Sequence, residues 1–144
     1  MEVAERNHDK DALILIGIKE NGIVIARIIA GILQNIFPGR IDILSLGMDK
    51  KHPSIITLSE DKDFNATNII LVDDVANSGR TMFYALKPLL AFYPSQVETL
   101  ALLERTHKQF PIDLNYVGHS VSTTRDEMIV VQVGEGVVEG AYFK

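Results

Sequence analysis

The chain has 144 residues, of which 47% are hydrophobic, and it contains no cysteine. A single domain of this size, residues 1–144, can bury a core without disulfides, and thiol catalysis and cysteine-ligated zinc are excluded. The formal net charge of −5 gives no overall attraction to nucleic acid. The sequence contains no cysteine, no leader-like start and no apolar run of membrane-spanning length. We therefore expect a cytoplasmic protein without membrane contact.

Short apolar runs flanked by turn residues are predicted to be buried strands. They cover residues 12–18, 41–46, 69–72, 97–103 and 128–133. Helices are predicted over residues 22–37 and 80–92, the second of them weakened or kinked by Pro88. Because strands and helices alternate along the chain, the pattern indicates an α/β fold with a mostly parallel sheet flanked by helices.

Two polar stretches interrupt this alternation. Residues 47–68 are predicted to form a loop or hairpin excursion with a short strand candidate at residues 55–58. Residues 111–127 contain few aliphatic side chains and include a Ser/Thr cluster at residues 120–124. Long polar connections in a compact domain often carry function, so the second stretch is a candidate cap over the site.

The segment from residue 68 to residue 81 carries the strongest chemical pattern. An apolar strand leads into Asp73 and Asp74, and a turn of small residues, Asn77, Ser78 and Gly79, precedes the next helix. Such a turn lets backbone N–H groups converge on an anion. Two carboxylates repel a phosphate, and they suit sugar hydroxyls or Mg²⁺ instead. The segment therefore predicts a site for a phosphorylated ribose, against the simpler alternative of a strand and turn with surface acids.

This segment is neither a nucleotide P-loop, since it lacks Gly-Lys-Ser/Thr, nor a dinucleotide fingerprint of spaced glycines. It resembles the motif that binds phosphoribosyl pyrophosphate (PRPP) in type I phosphoribosyltransferases, where two acidic residues precede a Thr/Ser-Gly-x-Thr turn. The resemblance extends over nearly the whole chain and is closest to the pyrimidine operon regulator and uracil phosphoribosyltransferase family. Residues 16–22 look like that family's pyrophosphate loop, and residues 102–118 resemble two of its later motifs.

The resemblance implies a type I phosphoribosyltransferase fold with a small hood, Mg²⁺ as cofactor, and displacement of pyrophosphate from PRPP by a nucleobase to give a nucleotide. A homodimer or higher homo-oligomer is also implied. The catalytic residues would be Asp73, Asp74 and Lys19, and the two aspartates would bind the metal. PRPP would be bound by Lys19, Glu20, Asn21, Gly22, Asp73, Asp74, Val75, Ala76, Asn77, Ser78, Gly79, Arg80, Thr81 and Arg125. The base would be bound by Arg105, by the ring of Tyr116 and by the backbone of Val117.

Two departures from the family pattern bear on the base. Glu104 stands where purine-salvage relatives have a lysine that donates to the 6-oxo group, and a carboxylate cannot donate. Asn77 stands where those relatives have an aspartate near the purine ring. Both departures favour a pyrimidine over a 6-oxopurine, and the family resemblance implies uracil as that pyrimidine. Residues 47–50 also differ from the flexible catalytic loop of the regulator family, which bears on the rate of turnover.

Three functions therefore stay open, in this order. The first is a uracil-type phosphoribosyltransferase. The second is an RNA-binding regulator of pyrimidine genes, whose basic candidates are Arg105, His107, Lys108 and Arg125; RNA binding is not favoured because the chain is acidic. The third is a purine phosphoribosyltransferase or a domain of this fold without turnover. Residues 1–7 resemble only the last part of the relatives' N-terminal helix, which is expected to be short or truncated here.

Overall fold

A six-stranded sheet, mostly parallel, organises the chain. The computed structural model describes residues 2–49, 51–121, 129–133 and 138–143, with side chains described through residue 118. The elements are α1 (Glu2–Arg6), β1 (Ala12–Ile18), α2 (Lys19–Leu33), β2 (Arg40–Met48), β3 (Ile56–Leu58), β4 (Asn68–Ala76), α3 (Arg80–Ala85), a 3-10 helix (Lys87–Leu89), β5 (Gln96–Arg105), β6 (Tyr116–Val121), β7 (Ile129–Val133) and β8 (Val138–Phe143). The strand order is β3-β2-β1-β4-β5-β6, and only β3 runs antiparallel to its neighbour. This confirms the predicted type I phosphoribosyltransferase fold class.

Alternate side chains of the central strands enter two separate cores. In β4, Ile70 and Val72 pack against α2, whereas Ile69 and Leu71 pack on the α3 side, and none of the four is more than 1% exposed. A strand covered on both faces is apolar at successive positions, which is why residues 69–72 were recognisable in the sequence. Because β1 and β4 are parallel neighbours, their carboxyl ends meet at one edge of the sheet.

Two strand assignments from the sequence need correction. The run at residues 128–133 was expected in the main sheet, but β7 pairs antiparallel with β8 in a separate two-stranded sheet. Residues 116–121, expected within a polar cap, form β6 and pair in parallel with β5. As the last strand of the sheet, β6 is only partly covered, and Val117 on it is 40% exposed. An edge strand therefore needs fewer aliphatic residues than a central one.

The helices begin and end at different residues from those predicted. Helix α2 begins at Lys19, directly after β1, and ends at Leu33. Helix α3 ends at Ala85, and Pro88 lies in the first turn of the 3-10 helix that follows. Because proline has no N–H to donate, it is tolerated in a first turn and not in a helix interior. Among the residues that the structure describes, no helix has both the length and the apolar character needed to cross a membrane.

Candidate functional site

A cavity of about 750 Å³ opens at the carboxyl edge of the sheet. It is lined by residues 18–21 at the β1–α2 junction, residues 47–48 at the end of β2, and residues 73–82 from the end of β4 into α3. The cavity thus brings together all of the proposed PRPP-binding residues that the structure describes except Gly22, which is buried behind the β1–α2 junction. Arg125 lies outside the described residues.

Hydrogen bonds hold the acidic pair at the floor of this cavity. The Asp73 side chain is 5% exposed, and its Oδ1 accepts the Asp74 N–H at 2.9 Å. Asp74 Oδ1 accepts the Val75 N–H at 2.8 Å, and Asp74 Oδ2 accepts the side-chain amide of Asn21 at 2.8 Å. Asn21 therefore ties the start of α2 to the acidic pair, although 53 residues separate the two in sequence.

Asp73 is held in an environment that opposes its ionisation. Burial raises the pKa of the Asp73 carboxyl well above its usual range, and a side-chain hydrogen bond with Asp74 and the charge of Asp74 add to the rise. The hydrogen bond from the Asp74 backbone N–H and the positive charge of Lys19 partly offset it. Burying a carboxylate without a matching cation costs free energy. A cation bound in the cavity would offset this cost.

We expect the single substitution Asp73→Asn to stabilise the unliganded fold. With a raised folded pKa, the stabilising contribution of Asp73 is present below its unfolded pKa and is lost as pH rises through the folded pKa. Asparagine keeps an Oδ1 acceptor and cannot ionise, so it should raise the Tm by about 3 °C at about pH 7 and hardly at about pH 3. Calorimetry at both pH values tests this, with the exposed Asp61→Asn as a control expected to change nothing. A lower Tm at neutral pH would contradict it.

The anion loop, defined as residues 77–81, follows the acidic pair without interruption. Gly79 has φ +86°, in the left-handed region that favours glycine, and it is the N-cap residue directly before α3. Ser78 Oγ accepts the Arg80 N–H at 3.2 Å. Because the first N–H groups of a helix have no acceptor within it, the loop can offer backbone donors to an anion. These donors line the same cavity as the carboxylates.

Lys19 occupies a strained turn at the opposite wall of the cavity. Its φ of +58° is left-handed, which costs a non-glycine residue roughly 1–2 kcal/mol. Its side chain is exposed and lines the cavity. Strained backbone of this kind is concentrated at functional sites. The turn thus places a positive charge in the cavity that also contains Asp73.

The structure places the Tyr116 ring, which was expected to stack on a base, in the core and not in the lining of the cavity. Tyr116 is 4% exposed within the α2-side core, its hydroxyl donates to Glu98 Oε1 at 2.8 Å, and it accepts from Asn7 Nδ2 at 3.1 Å. Burial, followed by the hydrogen bond to Glu98, raises the pKa of Tyr116 to about 12. The Arg6 guanidinium lies 5.2 Å from the ring centre. These partners hold the ring in the core, away from the cavity lining.

The other base-binding candidates do not line the cavity either. Arg105, at the end of β5, is 9% exposed, and Val117 lies on β6. Two features of the region were not recognised in the sequence: Met48 forms part of the cavity wall, and Glu104 forms an ion pair with Lys108. The (i, i+4) spacing of that pair was visible, but outside a helix such spacing does not by itself predict contact.

The acidic pair suits a divalent cation that arrives with its ligand. Among residues 2–49, 51–121, 129–133 and 138–143, no group of three or more His, Cys, Asp and Glu side chains could hold a metal ion. Mg²⁺ commonly takes one or two carboxylates together with substrate phosphates and water. Asp73 and Asp74 supply that number of carboxylates beside a loop suited to phosphate. The donor set therefore fits a metal held partly by a phosphorylated substrate.

Comparison with known proteins agrees with this chemistry. The family model described as the phosphoribosyl transferase domain matches residues 2–139, and the chain belongs to this family. The pyrimidine operon regulatory protein of Lactococcus lactis subsp. lactis is 37% identical over 139 residues, which cover 93% of this chain and 80% of that protein. The bifunctional protein PyrR of Bacillus cereus is 34% identical over 146 residues, which cover 93% of this chain and 81% of that protein.

Solved structures share the fold at much lower sequence identity. A hypoxanthine-guanine phosphoribosyltransferase from Bacillus anthracis matches with a TM-score of 0.66 and 19% identity, covering 88% of this chain and 73% of that one. A hypoxanthine phosphoribosyltransferase of Trypanosoma cruzi matches with a TM-score of 0.71 and 16% identity, covering 84% and 74% respectively. At such identities the likeness concerns the fold alone, and it does not bear on the choice of base.

Proposed function

We propose that the chain transfers the phosphoribosyl group of PRPP to uracil, forming UMP and pyrophosphate. The observation that carries this proposal is the continuous segment of residues 73–82 along one wall of a cavity of about 750 Å³. Carboxylates at its start suit the ribose hydroxyls, and the anion loop at its end suits the 5′-phosphate. The volume lies within the range of roughly 300–1,000 Å³ typical of small-molecule sites.

Opposite walls of the cavity would divide the substrate between them. Lys19 and its turn would bind the pyrophosphate, and the anion loop would bind the 5′-phosphate, so that C1 of the ribose lies between them. Asp73 and Asp74 would hold the ribose hydroxyls and Mg²⁺. When bound, Mg²⁺ supplies neutralisation of the charge that develops on the departing pyrophosphate. Asn21 orients Asp74 for this role through its amide hydrogen bond.

The reaction is a substitution at C1 of the ribose. A bond forms between the ring nitrogen of the base and C1, the bond from C1 to the pyrophosphate oxygen breaks, and the proton of the ring nitrogen is released. Since both reactants are placed by fixed groups, much of the rate increase comes from positioning them. The positive charge of Lys19 opposes the negative charge that grows on the leaving group.

Uracil is proposed as the base on two grounds. The first ground is that purine-salvage relatives carry a different charge at the positions of Glu104 and Asn77. The second is that the similar proteins from Lactococcus lactis and Bacillus cereus carry names that refer to pyrimidine genes or to PyrR. Contacts of the base with Arg105 and with the Val117 backbone stay predictions. The same holds for a homodimer, because a single chain is described.

Pyrophosphate release from PRPP and Mg²⁺ tests this proposal, with uracil, hypoxanthine, guanine, xanthine or no base added in parallel. We expect release with uracil alone. Release with a purine would overturn the assignment of the base and would keep the PRPP site. No release with any base, from folded protein, would overturn the proposed enzyme activity.

A regulator of pyrimidine genes is the second candidate, because the Lactococcus lactis relative is named for that role. The described side chains offer little of the basic face that RNA would require. Arg105 is 9% exposed, and the Lys108 side chain, also 9% exposed, is paired with Glu104. His107 is exposed. Binding of a pyrimidine leader RNA that responds to UMP, together with absent pyrophosphate release, would favour the regulator over the enzyme.

A further inference from the structure

The connection that follows β5 packs against the anion loop from outside the cavity lining. The N–H groups of Gln109 and Phe110 both donate to the Ser78 carbonyl, at 2.9 and 3.0 Å. A Cβ atom on Gly79 would lie 3.4 Å from the Phe110 carbonyl oxygen and 3.5 Å from Lys108 Cδ. The connection therefore supports the anion loop at Ser78 and Gly79.

These two hydrogen bonds fix the direction of one peptide unit in the anion loop. The described residues contain no cis peptide bond, and in a trans peptide the N–H points opposite to the C=O. With the Ser78 carbonyl directed at Gln109 and Phe110, the Gly79 N–H is directed away from the connection. Phe110 also holds Arg80, whose guanidinium lies 5.3 Å from the centre of its ring. A shift of the connection would therefore turn the donors of the loop.

A nearly buried ion pair anchors the start of the connection. The Lys108 ammonium contacts the Glu104 carboxylate, and the two side chains are 9% and 13% exposed. Glu104 is paired across the sheet with Ala76, the residue directly before the anion loop. Breaking a nearly buried ion pair is strongly destabilising, so both groups favour the paired geometry. The pair thus fixes the turn that carries Gln109 and Phe110 to Ser78.

We propose that Glu104 and Lys108 are positioning residues for the anion loop. Through Gln109 and Phe110, the pair sets the direction of the Gly79 N–H without itself touching the phosphate. The inference rests on the proposed binding of a 5′-phosphate by this loop. It assigns to Glu104 a role in phosphate binding, in addition to any influence on the choice of base.

The test compares two ligands of the same cavity, ribose 5-phosphate and magnesium pyrophosphate, by isothermal titration calorimetry. Ribose 5-phosphate needs the anion loop, whereas pyrophosphate is expected on the Lys19 side. We expect Lys108→Met to weaken ribose 5-phosphate binding by about tenfold or more, since misplacing a binding group by about 1 Å has effects of this size. Magnesium pyrophosphate binding should stay within about threefold of wild type. Lys108→Arg, which keeps the charge, should restore most of the affinity for ribose 5-phosphate.

If Lys108→Met does not fold, a second variant can test the same proposal. The double variant Glu104→Gln with Lys108→Met removes both charges of the pair, and it should show the same selective loss. Lys87→Met is the matched control, because Lys87 donates to the Ser54 carbonyl at 2.8 Å and does not line the cavity.

The outcomes separate this inference from the proposed function. Wild-type affinity for ribose 5-phosphate in the double variant, or an equal loss for both ligands, would overturn the positioning role and leave the proposed function standing. Failure of the wild-type chain to bind ribose 5-phosphate would overturn both.

Discussion

Replacing Asp73 and Asp74 together by asparagine is expected to abolish Mg²⁺-dependent binding of PRPP and to leave the fold intact. The two carboxylates line the cavity beside the anion loop, and asparagine cannot supply their charge to a cation. We expect the affinity to fall by more than about 100-fold, since each lost charged contact is worth on the order of 1.5–3 kcal/mol. Equilibrium dialysis with labelled PRPP measures the loss.

The fold should survive because the local hydrogen bonds do. The backbone N–H groups of residues 74 and 75 donate to the Oδ1 atoms of Asp73 and Asp74, and an asparagine Oδ1 accepts as well. Circular dichroism of the variant should match wild type. The control is Glu60→Gln with Asp61→Asn, which removes two exposed acidic charges outside the cavity. Unchanged PRPP affinity in the Asp73 and Asp74 double variant would refute the assignment of the site.

Gly22→Ala is expected to destabilise the fold strongly. A Cβ atom at position 22 would lie 2.6 Å from the Val72 carbonyl oxygen and 3.2 Å from the Gly17 carbonyl carbon. Both contacts are with backbone atoms, which cannot rotate away. The clash can therefore be relieved only if α2 moves away from β4 at Val72, the residue directly before Asp73. We expect a loss of roughly 3 kcal/mol or more of unfolding free energy, with PRPP binding lost in parallel. Urea denaturation measures the change.

Gly31→Ala in the same helix is the matched control. A Cβ atom at position 31 would meet nothing within 4 Å, and the residue is exposed. Alanine in a helix interior is more stable than glycine by roughly 0.5–1 kcal/mol, so the same substitution should here raise the unfolding free energy. Equal stability of the two variants would mean that α2 does not approach β4 as closely as the structure has it.

The acidic pair and the anion loop could be located from the sequence because they are local. The strand, both carboxylates, the turn with Ser78 and the start of α3 follow one another without interruption, and the strand-to-helix order alone places them at the carboxyl edge of a parallel sheet. No long-range contact had to be known. The bond between Asn21 and Asp74 illustrates the limit, since it depends on β1 and β4 being neighbours.

Tyr116 shows what the sequence could not supply. Its hydroxyl partners, Asn7 and Glu98, lie 109 and 18 residues away, and no local pattern states which face of β6 the ring occupies. The strand at residues 129–133 was recognised, but an apolar run does not identify its partner, and β8 pairs with it outside the main sheet. In the sequence, Glu104 was considered only for the choice of base and Lys108 only for RNA binding. Their contact could not be foreseen because it depends on the path of the turn after β5.

Titration of the wild-type chain with PRPP, with and without Mg²⁺, tests most directly the claim that the cavity at the carboxyl edge of the sheet is a PRPP site. We expect saturable binding of one PRPP per chain that requires Mg²⁺. The absence of binding at millimolar PRPP in the presence of Mg²⁺, from protein shown to be folded, would contradict it.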